Sequence, residues 1–448
     1  MQNIRIDFQK TVGRMKPMHG LNNGPLTGNL RYDARHLFRA AGIPITRLHD
    51  CEYPFGSGEY VDIPCIFKCF DADVDDPASY NFDLTDLYLQ SIDECGTKIL
   101  YRLGVSIEHN PIKRYIYPPK DYLKWAKICE HIIRHYNEGW ANGLHLGIEY
   151  WEIWTEPNNN EKENPVMWGG TMQEFAEFYA VAATYLKEKF PHLKIGGPAF
   201  SNPTAPAVHT FFDTLAQENK HPPMDFFSWH GYVSSVEKAI DRARGAADIL
   251  RQYGYAEAES LYDEWNYVKN WNDMQQATAL INSEKGMAFN AAMMTAMQSE
   301  PCNMMNFYAA NWQFKGIWNS IFEQDPTVNN RNGGVRIMRA KKPFYPFLAF
   351  NRLYRLGNQS EFHSDDANLY GAAASDGEKG CILVSYFADP DEDPQEKEVR
   401  FSLKGLENRS VTAYITDKDR TDEKLFSAVS PVFDVTLPPY SMLFITVE

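Results

Sequence analysis

Between about residue 10 and residue 350, short apolar runs alternate with amphipathic stretches eight times. The strand candidates are 15–20, 45–50, 98–103, 147–155, 194–198, 226–232, 260–264 and 304–309. Between them, apolar residues recur at helical spacing over 32–41, 83–95, 122–137, 172–189, 235–253 and 276–299. Parallel strands need a crossover between them, so repeated strand–helix units predict a parallel (β/α)₈ barrel of α/β class. A doubly wound open sheet is the alternative, but no Gly-rich phosphate loop follows a strand to support it.

Beyond about residue 350 helical periodicity fades. Short alternating runs take over at 369–374, 381–387, 398–403, 410–416, 433–437 and 441–447. Turn signals such as Ser375-Asp376-Gly377 separate them, and the acidic stretch 389–396 reads as a solvated turn. This pattern predicts an antiparallel β-sandwich. The division is therefore a catalytic barrel over 1–350 and a sandwich over 351–448. Residues 4–8 also alternate, so residues 1–10 are read as lending the sandwich a strand.

Two barrel strands end in an unusual way. Tyr150-Trp151-Glu152-Ile153-Trp154-Thr155-Glu156 closes strand four on a glutamate, and Ser260-Leu261-Tyr262-Asp263-Glu264 does the same for strand seven. A charge at the end of an apolar strand must be desolvated or paired. In this register both fall at the C-terminal face, where barrel enzymes keep their reactive groups. Period-2 alternation would put Trp154 and Glu152 on the face of Glu156, and Tyr262 on that of Glu264. Glu152 is expected to be structural, paired with an arginine such as Arg47. Asn266 is expected to help hold Glu264 charged, and the aromatics around Glu156 to give it a partly apolar setting.

Composition narrows the partners. A net charge of −15 and a pI near 5.3 argue against nucleic acid or an anionic membrane. The 14% aromatic content suits flat walls for sugar rings as well as a large core. Seven cysteines are scattered; Cys65 and Cys69 lie close together, but no second pair or histidine cluster follows at metal-ligand spacing. Reduced thiols and no metal are the expectation. The N-terminus MQNIRIDFQK has no apolar h-region and no run is long enough to span a membrane, so a cytoplasmic protein is expected. A homo-oligomer is compatible with the sequence.

The motifs resemble a known family. Trp-Thr-Glu-Pro-Asn at 154–158 is similar to the Trp-Asn-Glu-Pro-Asn acid/base motif of clan A glycoside hydrolases. Glu264-Trp265-Asn266 resembles the nucleophile motif of glycoside hydrolase family 39, which includes β-xylosidases and α-L-iduronidases. His19-Gly20-Leu21-Asn22-Asn23-Gly24-Pro25, Arg47-Leu48-His49, Gly196-Gly197-Pro198-Ala199, Ser228-Trp229-His230-Gly231-Tyr232, Asn332-Gly333-Gly334 and Lys342-Pro343-Phe344 extend the resemblance to about residue 355. It implies a retaining, cofactor-free exo-glycosidase acting on a terminal pentose or similar sugar of an oligosaccharide, β-xylosidase-like. Glu156 would be the acid/base and Glu264 the nucleophile; His49, His230, Tyr232 and Trp312 would line the sugar subsite. An arabinosidase or another family-39 specificity is the alternative, and a non-catalytic carbohydrate-binding protein is the reading from a different class.

Two departures fall where the sugar would be read. Thr155 stands in place of the asparagine that grips the 2-hydroxyl, and the run Gln313-Phe314-Lys315-Gly316-Ile317-Trp318 lacks the acidic residues that xylosidases carry after the matching tryptophan. The reaction type survives both changes; xylose as the sugar does not follow.

Overall fold

The computed structural model describes residues 1–27, 30–49, 51, 60–108, 111–161, 164–217, 221–310, 321–328, 334–388 and 393–448. Eight parallel strands close into a barrel: Gly20–Asn22, Ile45–Arg47, Lys98–Leu103, Tyr150–Ile153, Lys194–Phe200, Phe226–Val233, Glu259–Tyr267 and Met304–Phe307. The eighth closes on the first through Asn306 opposite Gly20 and Phe307 opposite Leu21. The barrel is the one expected, with shifted ends. Its first strand is Gly20–Asn22 and not 15–20, since Gly20 permits the close approach: a Cβ there would stand 2.6 Å from the Met305 carbonyl. The expected helix over 276–299 is two helices, Met274–Ile281 and Glu284–Ala296, divided where Ser283 accepts from the Lys285 N–H and caps the second. Pro206–Gln217 and Tyr345–Leu356 are further helices outside the expected set.

The interior is layered by the two-residue period of the strands. Ile45, Leu100, Tyr150, Phe226, Leu261 and Met304 form an apolar plug. Two positions further along the same six strands stand Arg47, Arg102, Glu152, Ser228, Asp263 and Asn306, all buried. Each strand therefore carries an apolar residue and then a polar one on its inner face. The barrel is dry and apolar below, and polar where it approaches the C-terminal face.

The C-terminal strands form a nine-stranded, mostly antiparallel sheet. Its order is Glu423–Ala428, Val411–Thr416, Met442–Val447, Gly380–Tyr386, Leu369–Ser375, Asn358–Ser364, Gln2–Arg14, Lys397–Lys404 and Val432–Leu437. The N-terminal strand is antiparallel to Asn358–Ser364 and parallel to Lys397–Lys404, the one parallel pairing in the sheet. Ile4, Ile6 and Phe8 alternate inward onto Ile382, Val384, Val399 and Phe401. Gly380–Tyr386 is buried throughout because both of its faces are covered. Ile382 and Val384 face the core of the sheet, while Cys381 and Leu383 join the core around the barrel, and the Ser385 hydroxyl donates to the Ala288 carbonyl at 2.7 Å.

Among the described residues no disulfide joins the seven cysteines, of which Cys69 is exposed and Cys95 half-buried. No described helix is long and apolar enough to cross a membrane. The first residues of the acidic stretch, 389–392, lie outside the described residues.

Gly197 offers a direct test of how the fourth and fifth barrel strands meet. Its φ of 130° lies where side chains are strained, and a Cβ would stand 2.8 Å from the Ile153 carbonyl. Gly197→Ala should cost about 1–3 kcal/mol in urea unfolding, and a variant as stable as wild type would contradict that contact.

Candidate active site

The polar layer is organised by one side chain. Arg47 is fully buried and its Nε donates to Glu152 Oε2 at 2.7 Å, with Asp263 Oδ2 at 3.0 Å. Its Nη1 donates to Glu264 Oε2 at 3.1 Å and to Asn22 Oδ1 at 3.3 Å, and its Nη2 donates to Thr155 Oγ1 at 3.0 Å. Burial opposes the charged guanidinium, but Glu152, Asp263 and Glu264 outweigh it and push the pKa of Arg47 up. Burial would raise the Glu152 carboxyl, but the charge of Arg47 and the neighbouring Asp263 and Ser228 hold it low.

Local backbone features then bring the two terminal glutamates together. Strand four stops at Ile153, because Trp154 and Glu156 take positive φ values of 72° and 42°. Such values cost about 1–3 kcal/mol each at a residue other than glycine. The turn is held by the Trp154 N–H on Leu103 O at 2.6 Å and the Glu156 N–H on Ala199 O at 2.8 Å. Gly104 makes room for it, since a Cβ there would lie 3.1 Å from Trp154 Cα. The turn breaks the alternation: Glu152, Thr155 and Glu156 face the interior. Trp154, expected on their face, instead packs outside the barrel against Trp168 and Phe178, at 5.2 and 5.7 Å between ring centres.

Strand seven reaches a similar end by a bulge. Tyr262 pairs with Trp229, but Glu264 pairs with His230, so Asp263 is the extra residue. Asp263 and Glu264 both face inward. Tyr262, expected beside Glu264, stacks on Trp229 outside the barrel with ring centres 4.1 Å apart. Asn266 does not hold Glu264 either; its amide donates to Tyr308 O at 2.5 Å. The groups that do are Arg47 and the Tyr232 hydroxyl, which donates to Glu264 Oε1. Burial first, and then the charge of Glu264, push the Tyr232 pKa well up, so it remains a donor.

Glu156 has different partners. His230 Nδ1 lies 2.7 Å from Oε1, and Asn159 Nδ2 donates to Oε2 at 2.7 Å. Burial alone would raise the pKa of this carboxyl, but the His230 hydrogen bond and charge outweigh it, with Asn159 and then His49 adding to the effect. Glu156 is thus held below the usual carboxylate range, the opposite of the expected apolar setting. One oxygen of Glu156, one of Glu264 and a nitrogen of His230 all lie within 4.8 Å of one another. Three such ligand atoms could in principle meet a cation. Here they are occupied by one another and by Arg47, whose positive charge beside Glu264 disfavours a second cation.

The remaining site residues fall around this pair. His49 is buried edge-on to Tyr308 at 5.9 Å, and Thr155 lies on Arg47. Tyr232 meets Trp271, a half-exposed ring, edge-on at 5.2 Å. Trp312 and the run 313–318 lie outside the described residues. Sequence reasoning gave Arg47 a single structural partner and passed over Asp263 and Asn159. The polar residue two places beyond the apolar plug on each strand was the available signal.

The model for glycosyl hydrolases family 39 matches residues 4–407. The chain belongs to glycosyl hydrolase family 39. A β-xylosidase of Caldicellulosiruptor saccharolyticus is 24% identical over 313 residues, covering 66% of this chain and 60% of that protein. A β-xylosidase of Geobacillus stearothermophilus is 26% identical over 258 residues, covering 54% of this chain and 48% of that protein. The matches therefore span less than two thirds of these curated relatives. Among solved structures, a glucosidase from Croceicoccus marinus superposes with a TM-score of 0.78 at 22% identity, covering 100% of this chain and 99% of the other. A family-39 β-xylosidase from Caulobacter crescentus gives 0.71 at 16% identity, with complete coverage of both, 100% and 100%. At these identities the structures speak to the fold.

Removing the cation tests how far this family-39 site depends on it. Arg47→Met leaves Glu152, Asp263 and Glu264 without their counter-charge and should cost about 3–5 kcal/mol. With the cation gone, their folded pKa values rise above the unfolded ones. The protonated carboxyls are then tolerated at acid pH, and stability is lost as pH rises through the raised values. Urea unfolding should show a deficit that widens from about pH 4 to about pH 8. A deficit independent of pH would contradict this.

Proposed function

We propose that this protein is a retaining exo-glycosidase that removes a terminal pentose or similar sugar from an oligosaccharide, with Glu264 as nucleophile and Glu156 as acid/base. The observation that carries the reading is the carboxylate pair with oxygens within 4.8 Å, each held by a different kind of partner. Retention needs carboxyl groups about 5–5.5 Å apart, whereas inversion needs about 6.5–9.5 Å to admit a water. Glu264 accepts from Arg47 and Tyr232, which suits a carboxylate that must stay ionised to attack. Glu156 meets the His230 imidazole at 2.7 Å, a different partner from the guanidinium and hydroxyl that hold Glu264.

In the first step Glu264 attacks the anomeric carbon as the glycosidic C–O bond breaks, and Glu156 passes a proton to the leaving oxygen. In the second step Glu156 takes a proton from water, the water oxygen attacks the anomeric carbon, and the ester to Glu264 breaks.

The sugar is read beside Arg47. Thr155 Oγ1 accepts from Arg47, which leaves its single O–H to donate where asparagine would present two N–H groups. Recognition at the 2-position is accordingly reduced to one donor. A pentose substrate is supported by the β-xylosidase relatives, while the Thr155 geometry favours keeping an arabinosidase or another family-39 specificity as the second reading. The exo preference rests on the family resemblance.

A panel of aryl glycosides covering xylose, both ring forms of arabinose, galactose and glucuronate should reveal one preferred sugar. Glu156→Gln and Glu264→Gln should each lower turnover of that glycoside by about 10²–10⁴-fold or more. Unchanged turnover in either variant would sink the assignment of that residue. Sugar binding without any turnover by wild type would identify a carbohydrate-binding protein instead.

A further inference from the structure

Three buried carboxyls, those of Glu152, Asp263 and Glu264, crowd one guanidinium, and the geometry around Asp263 sets it apart. The single Nε–H of Arg47 is directed to Glu152, so Asp263 lies close at 3.0 Å without receiving it. Among the described residues, neither oxygen of Asp263 nor Oε1 of Glu152 meets a donor at hydrogen-bond geometry. What stands beside these orphan oxygens is the other carboxyl, because Glu152 Oε2 and Asp263 Oδ2 both approach the one Arg47 Nε, at 2.7 and 3.0 Å. Two carboxyls can share a hydrogen bond only with a proton between them.

The other groups around Asp263 do not remove this need. His230, from strand six, has Nδ1 committed to Glu156, and its Nε2 lies 3.6 Å from Asp263 Oδ1 and 3.4 Å from Glu264 Oε2 without a hydrogen bond. Glu264 is the next residue and adds negative charge, and the Cys302 thiol near the start of strand eight is felt more weakly. Ser228 faces Glu152. Fully ionised, the group around Arg47 would carry an excess of two negative charges, two of its three carboxylates being fully buried, and proton uptake is the ordinary response.

We infer that Asp263 is a neutral carboxylic acid that donates its proton to Glu152, and that this makes it a positioning residue for Arg47. The role in catalysis rests on the reading of Glu264 as nucleophile. With Asp263 neutral, Arg47 answers two anions and not three, Glu152 by Nε and Glu264 by Nη1. The Asp263 proton fills the open lone pair of Glu152, which fixes the carboxylate that orients Arg47. The bulge in strand seven serves this arrangement, since it turns Asp263 inward beside Glu264. Burial and the neighbouring Glu152 push the Asp263 pKa well up, in keeping with the geometry.

The test uses two variants and two readouts. Asp263→Asn keeps the shape and supplies an N–H to Glu152, so kcat/KM on the preferred aryl glycoside should stay within about threefold of wild type with the same pH profile. Asp263→Ala leaves Glu152 Oε1 unpaired and Arg47 loose, so kcat should fall at least about tenfold and the acid limb of the profile should move to higher pH. In carbon-13 NMR of protein labelled at aspartate carboxyls, wild type should show one protonated carboxyl at about pH 7 that Asp263→Asn removes. Asp263→Asn as impaired as Asp263→Ala, or aspartates all ionised at neutral pH, would overturn the inference. The NMR signal is read without substrate. If it is present while Glu264→Gln keeps full turnover, the nucleophile assignment has failed and the shared proton has not.

Discussion

A single guanidinium stands where the barrel changes from an apolar interior to a polar one, and the site is arranged around it. Arg47 is fixed by Glu152 from below, touches Asn22 at the side, and reaches Glu264 and Thr155 above. A buried arginine of this kind is a liability unless each of its donors is met, and here strands one, four and seven, with the turn after strand four, contribute to meeting them. The consequence is rigidity at the point where chemistry needs it. Glu264 accepts hydrogen bonds from a guanidinium that cannot lose its proton and from a tyrosine whose hydroxyl stays protonated.

The two glutamates reach one cavity by different backbone devices. Glu156 is lifted by a strained turn that ends its strand early, and Glu264 by a bulge that adds Asp263 to its strand. Their separate partners then divide the labour. Arg47 and Tyr232 donate to Glu264, while His230 and Asn159 hold Glu156 beside an imidazole. The electrostatics follow these partners more closely than burial, since both carboxylates are almost fully enclosed. Where the partners fail to reach, as at Asp263, burial takes over and favours the neutral form.

Much of this was legible in the amino-acid sequence, and the gaps have physical causes. The barrel followed from the repeated strand–helix alternation, and the two glutamates from strands that end on a charge. The faces of Trp154 and Tyr262 were misread because period-2 alternation assumes an unbroken strand. A positive φ at Trp154 and an extra residue at Asp263 each invert it, and neither leaves a glycine or proline as a sign. The first strand was placed too early because the apolar residues Met15 and Met18 outweighed Gly20, whose missing side chain admits the neighbouring strand. The pairing of Arg47 with Glu152 follows from a charge deep on the strand needing a counter-charge; the reach of Arg47 to Glu264 depends on side-chain length across the barrel, which spacing along the chain does not encode.

A nucleophilic Glu264 must become covalently bound to the sugar. A 2-deoxy-2-fluoro glycoside of the preferred sugar, carrying a good leaving group, slows breakdown of such an intermediate more than its formation. Proteolysis and mass spectrometry of the inactivated enzyme should then place one sugar on the peptide containing Glu264. An adduct on another residue, or no adduct together with product of inverted anomeric configuration, would contradict the account.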